Sequence, residues 1–327
     1  MRNIIEKLLP LHAPTGFENR LISEISRILS PQVSDVDFMG NLTIRIPGQG
    51  PKILVTCDID EYSIVVTHID SNGFIRFYPS GNLTVENILG AEVIFNSGIA
   101  GFIGSEEKPE NSKLTFDRLF VDIGARNKRE ASELVKIGDH AGMNIPTRMT
   151  DSRVIGRDCC HAAASALTAA CTDVGQTQNH LVFAFTTQGK LGGRGALTVA
   201  NREKPDLIIN LRKLDATDTP EHPDKAKIEL GKGPVLIKAG SYITNYIYGN
   251  EVVQDTATSS GIQLQQAVDT NFNAPEYRMS GVHGSVPIMS LAIPTRVFGK
   301  FGGIVDIGDI TDSSKLLVKI LRKQLIK

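Results

Sequence analysis

Lys52-Ile-Leu-Val-Thr-Cys57 is a continuous apolar run of strand length, bounded by Pro51 before it and by the acidic Asp58-Ile-Asp-Glu61 after it. A strand with one face in water alternates apolar and polar residues. A run without alternation reads as a strand buried on both faces, as parallel strands are when helices cover them. The same pattern returns in Leu181-Val-Phe-Ala-Phe185, in Asp206-Leu-Ile-Ile-Asn210 and around Leu291-Ala-Ile293. A polar loop and an apolar helix-like stretch, Ala196 to Ala200, separate the Leu181 run from the Asp206 run. Strands separated by helices predict an α/β fold with a mixed, largely parallel sheet flanked by helices.

Outward from that core, Arg20-Leu-Ile-Ser-Glu-Ile-Ser-Arg-Ile-Leu29 repeats apolar residues at three- and four-residue spacing, which predicts a helix with one buried stripe. Thr15-Gly-Phe-Glu18 breaks the chain before it and offers a cap. From about His68 to Ile155 the texture changes to Gly, Asn, Ser and β-branched residues with short alternating runs such as Gly73-Phe-Ile-Arg-Phe77. That is the pattern of a small β-rich domain, interrupted by one helix at roughly 127–137 with Gly138 placed as its C-terminal cap. The apolar helix pattern resumes at His161-Ala-Ala-Ala-Ser-Ala-Leu167. The expected organisation is an α/β domain made of 1–67 and 156–327, with 68–155 inserted.

The 327 residues carry a formal net charge of -1, with 41% hydrophobic and 22% charged residues. This length can bury a full core, and the composition is that of an ordinary globular protein. No basic stripe points to nucleic acid, and no apolar run is long enough to span a membrane. Met1-Arg-Asn-Ile-Ile-Glu-Lys7 lacks the apolar core of a signal peptide, so a cytoplasmic location is expected. There Cys57, Cys159, Cys160 and Cys171 read as reduced thiols, and no Cys-x-x-Cys pair suggests a zinc finger.

A series of short motifs resembles the cytoplasmic dinuclear-metal aminopeptidases that form tetrahedral (TET) dodecamers, a family of glutamyl and deblocking aminopeptidases once also labelled endoglucanases. Thr15-Gly-Phe-Glu18 is similar to the family's Ser-Gly-Phe-Glu, and Asp37-Phe-Met-Gly-Asn-Leu42 to its Asp-x-x-Gly-Asn-Leu. Val65-Val-Thr-His-Ile-Asp70 fits the entry to the family's inserted domain, and Asp122-Ile-Gly-Ala125 with Leu134-Val-Lys-Ile-Gly-Asp139 fits the exit. Gly192-Gly-Arg-Gly-Ala196, Asp218-Thr-Pro220, Leu230-Gly-Lys-Gly-Pro-Val235 and Ile293-Pro-Thr-Arg296 complete an ordered series that runs nearly end to end. The resemblance implies an aminopeptidase-like α/β domain, an inserted oligomerisation domain and two divalent metals such as zinc or cobalt.

The positions that carry the family's chemistry differ. A two-metal hydrolase needs anionic and imidazole ligands around two ions and a carboxylate base for the bridging water. Where the resemblance puts His-x-Asp-Glu, this chain has Asp58-Ile-Asp-Glu61, so Asp58 replaces a ligand while Asp60 and Glu61 remain. The bridging Asp falls at Asp158 in Arg157-Asp-Cys-Cys160. The base and the next ligand, adjacent glutamates in the family, become Gly189 and Lys190. The following ligand, an Asp ending a strand, becomes Asn210 if the apolar run is kept intact, or Arg212 by ungapped counting from Asp218-Thr-Pro220; Asn210 is preferred here. The final His becomes Gly299, and the family's Thr-Asp-Ala-Gly becomes Val282-His-Gly-Ser285. Of the five direct ligand positions only Asp158 is unchanged, and a protonated lysine cannot ligate a metal.

The expectation is therefore retained fold with lost peptidase activity: no catalytic residue, no bound metal or other cofactor, and a vestigial polar site of Asp58, Asp60, Glu61, Asp158, Lys190, Asn210 and Gly299. The plainer readings are a solvated acidic rim, a surface lysine at 190 and thiols at 57 and 159 packed in the core. The sharper one places the Lys190 ammonium against Asp158 or Asp58. The competing function is an active hydrolase on a rebuilt metal site that uses Cys159, Cys160 or His161 with Asp58. His68 and His140 read as structural, and His283 is open. Glycoside hydrolysis needs a recognisable acid/base carboxylate pair, and none stands out beyond this cluster. Expected partners are copies of the same chain, from dimer to dodecamer, or an active relative in a mixed assembly, with a peptide or small molecule as ligand.

Overall fold

The computed structural model describes residues 1–326 apart from Pro31, Val33 and the stretches 107–113, 158–159, 221–227, 241–244, 271–274 and 299–300. The chain opens with α1 (Arg2–Leu8), α2 (Asn19–Leu29), β1 (Ser34–Val36), β2 (Leu42–Ile46) and β3 (Lys52–Asp58). A second group follows: β4 (Ser63–Ile69), β5 (Ile75–Ser80), α3 (Val85–Ile88), β6 (Glu92–Phe95), β7 (Ala100–Ser105), β8 (Leu119–Asp122), α4 (Lys128–Leu134) and β9 (His140–Met143). The chain returns through β10 (Arg148–Met149), β11 (Arg153–Arg157), α5 (Cys160–Asp173), β12 (His180–Thr186), α6 (Arg194–Glu203) and β13 (Leu207–Asp215). It ends with β14 (Val235–Gly240), α7 (Ile247–Ser260), β15 (Gln265–Asp269), α8 (Pro275–Ser280), β16 (Ile288–Phe298), β17 (Gly302–Asp306) and α9 (Ile307–Leu321).

The unalternating runs become the middle of one large mixed sheet, ordered β1-β2-β12-β3-β13-β16-β17-β11-β10, with β14 and β15 joined at β16. β12, β3, β13 and β16 are mutually parallel. The outer pairs are antiparallel apart from β14–β15, so parallel pairing is concentrated in the centre rather than spread through the sheet. The reason is coverage. Helices bury both faces of the central strands, while strands nearer the edges need only one apolar face. One face carries Ile53, Val55, Phe183, Phe185, Ile209 and Leu291 into the main core, with α5 and α9 packed over it. The other carries Leu54, Val182, Ala184 and Ile208 against residues of α6 and α8.

The second group closes into a six-stranded antiparallel barrel, β4-β5-β8-β7-β6-β9, which buries its own core of Ile64, Val66, Phe77, Val93, Ile103 and Val121. Its strands start at Ser63 and end at Met143, inside different limits from the expected 68–155. The residues that follow, β10 and β11, pair with each other and with β17 in the large sheet. The polar, proline-bearing texture of 144–155 resembles the barrel's, but from Arg148 onward its strand partners lie in the large sheet.

The Thr15–Glu18 segment supplies the N-cap residue of α2, Glu18, but no side-chain capping bond, and the Thr15 hydroxyl goes to Asp60. The cap expected at Gly138 is corrected. α4 ends at Leu134, and Gly138 (φ +91°) lies beyond it in a turn whose N–H donates to Val66.

Candidate functional site

Ligands of α/β sheets sit beyond the carboxyl ends of the parallel strands. Here β3 delivers Asp58 to that edge, with Thr56 and Leu54 preceding it on the same face. Cys57 points the opposite way into the main core, where burial pushes its thiol pKa well up. The ladder sets Asn210 beside Thr56 on one side and Ser290 on the other. All three are buried, and Thr56 Oγ1 and Ser290 Oγ have no hydrogen-bond partner among the described residues. Two residues further along β13, on the same face, comes Arg212.

Asp58 Oδ1 accepts a 2.6 Å hydrogen bond from the Thr186 hydroxyl. Burial, then the charge of Asp60, raises its pKa, while Thr186 and Lys190 oppose the rise. Asp60 is fully buried. Its Oδ2 accepts from the Thr15 hydroxyl at 2.7 Å and from the Lys190 N–H at 2.8 Å, and its Oδ1 is buried with no partner among the described residues.

Glu61 is turned away from this edge. It forms a buried ion pair with Arg157 at 2.7 Å and accepts from the Ala13 N–H. Arg157 also donates to the carbonyls of Leu9 and Leu11 and to His12 Nε2. A guanidinium can only donate, so His12 accepts there. Burial, then Arg157, holds the His12 pKa at about 4. His161 donates from Nε2 to the Leu11 carbonyl at 2.9 Å and lies 3.6 Å from Glu61. That nitrogen is thus engaged with the α1–α2 connection rather than offered to Asp58. Cys160 enters as the first residue of α5. Asp158, Cys159 and Gly299 lie outside the described residues.

Gly189-Lys-Leu191 forms a short 3₁₀ turn after β12. Its approach is strained, since Gln188 adopts φ +54°, a region unfavourable for a side-chain-bearing residue. The Gln188 N–H donates to Glu18 Oε1 at 2.9 Å, which holds the turn. The Lys190 ammonium lies 5.1 Å from the centroid of the Tyr62 ring. Gly189 faces Asp58: a Cβ at 189 would stand 2.4 Å from the Asp58 Cγ.

Sequence reasoning missed the roles of Glu18 and Thr186, and for Arg212, named only as the alternative to Asn210, it missed the acidic partners. Glu18 is buried beside the 3₁₀ turn, and burial raises its pKa to about 7. The signal was present in Thr15-Gly-Phe-Glu18, read only as a motif and a cap. Thr186 ends an apolar strand and carried no signal of its own. Arg212 pairs with Asp269 and, at 2.8 Å, with Glu276, whose other oxygen is buried without a partner among the described residues. Arg212 Nε makes the close contact to Glu276 without the alignment of a hydrogen bond; the ion pair is nevertheless real on distance, with both groups largely buried. Asn210 donates to the same Glu276 oxygen at 2.9 Å. Their chain separation, Arg212 against Glu276, hid this group. Of the other histidines, His140 stacks on Phe17 and contacts Ser63, and His283 Nε2 donates to the Asn201 carbonyl.

The family model of the M42 glutamyl aminopeptidases matches residues 40–316. The lysyl aminopeptidase of Pyrococcus furiosus is 26% identical, with 98% of this chain and 96% of that protein covered. The TET aminopeptidase of a marine sediment Thaumarchaeota archaeon superposes with a TM-score of 0.90 at 24% identity, covering 98% of this chain and 96% of that one. The TET peptidase of Pyrococcus horikoshii, described as assembling into a tetrahedron or a large octahedral shell, gives 0.86 at 24% identity over 99% of both chains. Among the described residues, no helix is long and apolar enough to cross a membrane.

Proposed function

The chain belongs to the M42 glutamyl aminopeptidase family, and we propose that within it this protein has given up two-metal peptide hydrolysis and serves as a binding or assembly subunit. The observation that carries this reading is the chemistry at the carboxyl edge of the central strands. Asp58 is the one carboxylate described at the resemblance's ligand positions, and it is already bonded to Thr186. Lys190 and Arg212 bring cations where such a centre needs donors, and a cation has no lone pair to give. Asn210 pairs with Thr56 in the β13–β3 ladder, and Arg212 lies two residues further along β13 in the direction of Asp58, which supports Arg212, the alternative to Asn210, as the replacement for the family's strand-ending Asp. These donors do not fit a two-metal centre, and Gly189 leaves no side chain to act as base. Lys190 and Arg212 then serve as internal cations that neutralise the remaining carboxylates, with Asp158 as the partner expected for Lys190.

The second reading is an active aminopeptidase on a non-standard site. The name of the Pyrococcus furiosus relative favours it. One experiment separates the two: metal content after purification, together with hydrolysis of aminoacyl substrates with and without chelator. The first reading expects neither stoichiometric zinc or cobalt nor chelator-sensitive hydrolysis. Either result would establish the second.

Assembly is proposed to run through the barrel, giving homo-oligomers or mixed shells with an active relative, in the cytoplasm. The horikoshii peptidase, alike in fold, assembles into shells. Light scattering that finds a monomer at micromolar concentration would overturn this part.

A further inference from the structure

We infer that Asp58 and Gly189 are a size-matched pair, in which the Asp58 side chain occupies the space where any side chain at 189 would have to begin. A Cβ built at 189 meets the Asp58 Cγ at 2.4 Å, Oδ2 at 2.5 Å and Cβ at 2.7 Å. Atoms do not approach so closely, so one side must move.

Neither is free to do so. Asp58 is held by the Thr186 hydroxyl at 2.6 Å. The turn is held on both sides of Gly189. Gln188 N–H donates to the buried Glu18, and Lys190 N–H donates to the buried Asp60. Within the turn, the N–H groups of Gly192 and Gly193 both donate to the Gly189 carbonyl. Gly189 itself does not have the positive φ that would call for glycine, unlike Gly192 at +83°. The requirement at 189 is therefore for space, not for backbone freedom.

The functional consequence, which rests on the reading above, concerns the base position. A carboxylate at 189 cannot be regained by changing that residue alone, because Asp58 must first give way.

The test is a mutant cycle read by thermal unfolding of the full chain. Gly189→Ala is made in four backgrounds: wild type, Asp58→Asn, Asp58→Ala and Asp58→Gly. In wild type and Asp58→Asn, which share the same shape, Gly189→Ala is expected to lower Tm by roughly 3–8 °C. With Asp58→Ala, which keeps only the Cβ, the fall should be smaller. With Asp58→Gly it should vanish. If Asp58→Gly does not fold, the contrast between Asp58→Asn and Asp58→Ala decides alone. Equal penalties in every background overturn the inference, whatever the metal content proves to be. A relief seen in Asp58→Asn would also overturn it, since that would make the effect one of charge rather than of volume. Zinc or cobalt found in the wild-type protein would overturn the proposed function and leave the size match standing.

Discussion

Glu18 shows how a single buried acid sets a pH response. Its carboxylate accepts backbone bonds from Gly16 and Gln188, which favour the charged form, but burial outweighs them and raises its pKa to about 7. An acid whose pKa is higher when folded binds more protons when folded, so stability falls as pH rises across the window between the two values. That window runs from the ordinary value of 4.5 up to about 7. Glu18→Gln keeps the accepting oxygen and removes the titration. The variant should be more stable than wild type at pH 8 by on the order of 2–3 kcal/mol, with the gain disappearing at pH 4, as urea unfolding at both pH values would read. Arg212 poses the opposite case. Removing it leaves Glu276, 3% exposed, with its charge uncompensated. Arg212→Ala should cost about 3 kcal/mol, and a loss below about 1 kcal/mol in chemical denaturation would show that the pair carries little.

Among the elements, β11 and the connection between α1 and α2 are joined by Arg157. Its guanidinium binds Glu61 after β3, the carbonyls of Leu9 and Leu11 and the His12 ring. One side chain thus ties a helix end to the edge where Asp60 and Asp58 lie. Arg157→Lys keeps the charge but not the planar fork that reaches four partners. Amide exchange at Leu9, Leu11 and Ala13 should speed up at least tenfold in Arg157→Lys, while α9, which takes part in none of these bonds, is unchanged. Uniform exchange across both would mean that the tie is global rather than local. At the other end, Asp306 caps α9 through the N–H groups of Gly308 and Asp309. Asp306→Ala should cost about 1 kcal/mol from the cap alone, read in the same unfolding assay.

Among the described residues, the barrel buries a hydrophobic core of its own, separate from that of the large sheet. A protein folded around a bound metal loses stability when the ion is removed, because binding adds to the folding free energy. If internal cations hold the site together, a chelator should leave Tm unchanged to within about 1 °C, and added zinc should not raise it. A chelator-induced fall of several degrees in differential scanning calorimetry would favour the metal-dependent reading. Two cores also allow two unfolding steps, and a barrel that unfolds first should release the assembly at the same temperature if it carries the oligomer contacts.

The sequence by itself determined the parallel centre of the sheet. Lys52–Cys57 and its counterparts at 181–185 and 206–210 are apolar on both faces, and nothing but two covered faces satisfies such strands. The resemblance to the aminopeptidase motifs grouped Asp58, Asp60, Gly189 and Lys190 as one site, and the fold gathers them at one edge of the sheet. What the sequence could not give was partnership. Glu61 reads like Asp58 and Asp60 along the chain, yet it pairs with Arg157, 96 residues away. Arg212 gains its meaning from Glu276 and Asp269, and 148–157 joins the large sheet because β11 pairs with β17 and β10 with β11. Periodicity reports how a residue's own face is solvated, a local property. Which buried charge meets which, and how much room remains at Gly189, depends on the distance between segments that only the folded chain brings together.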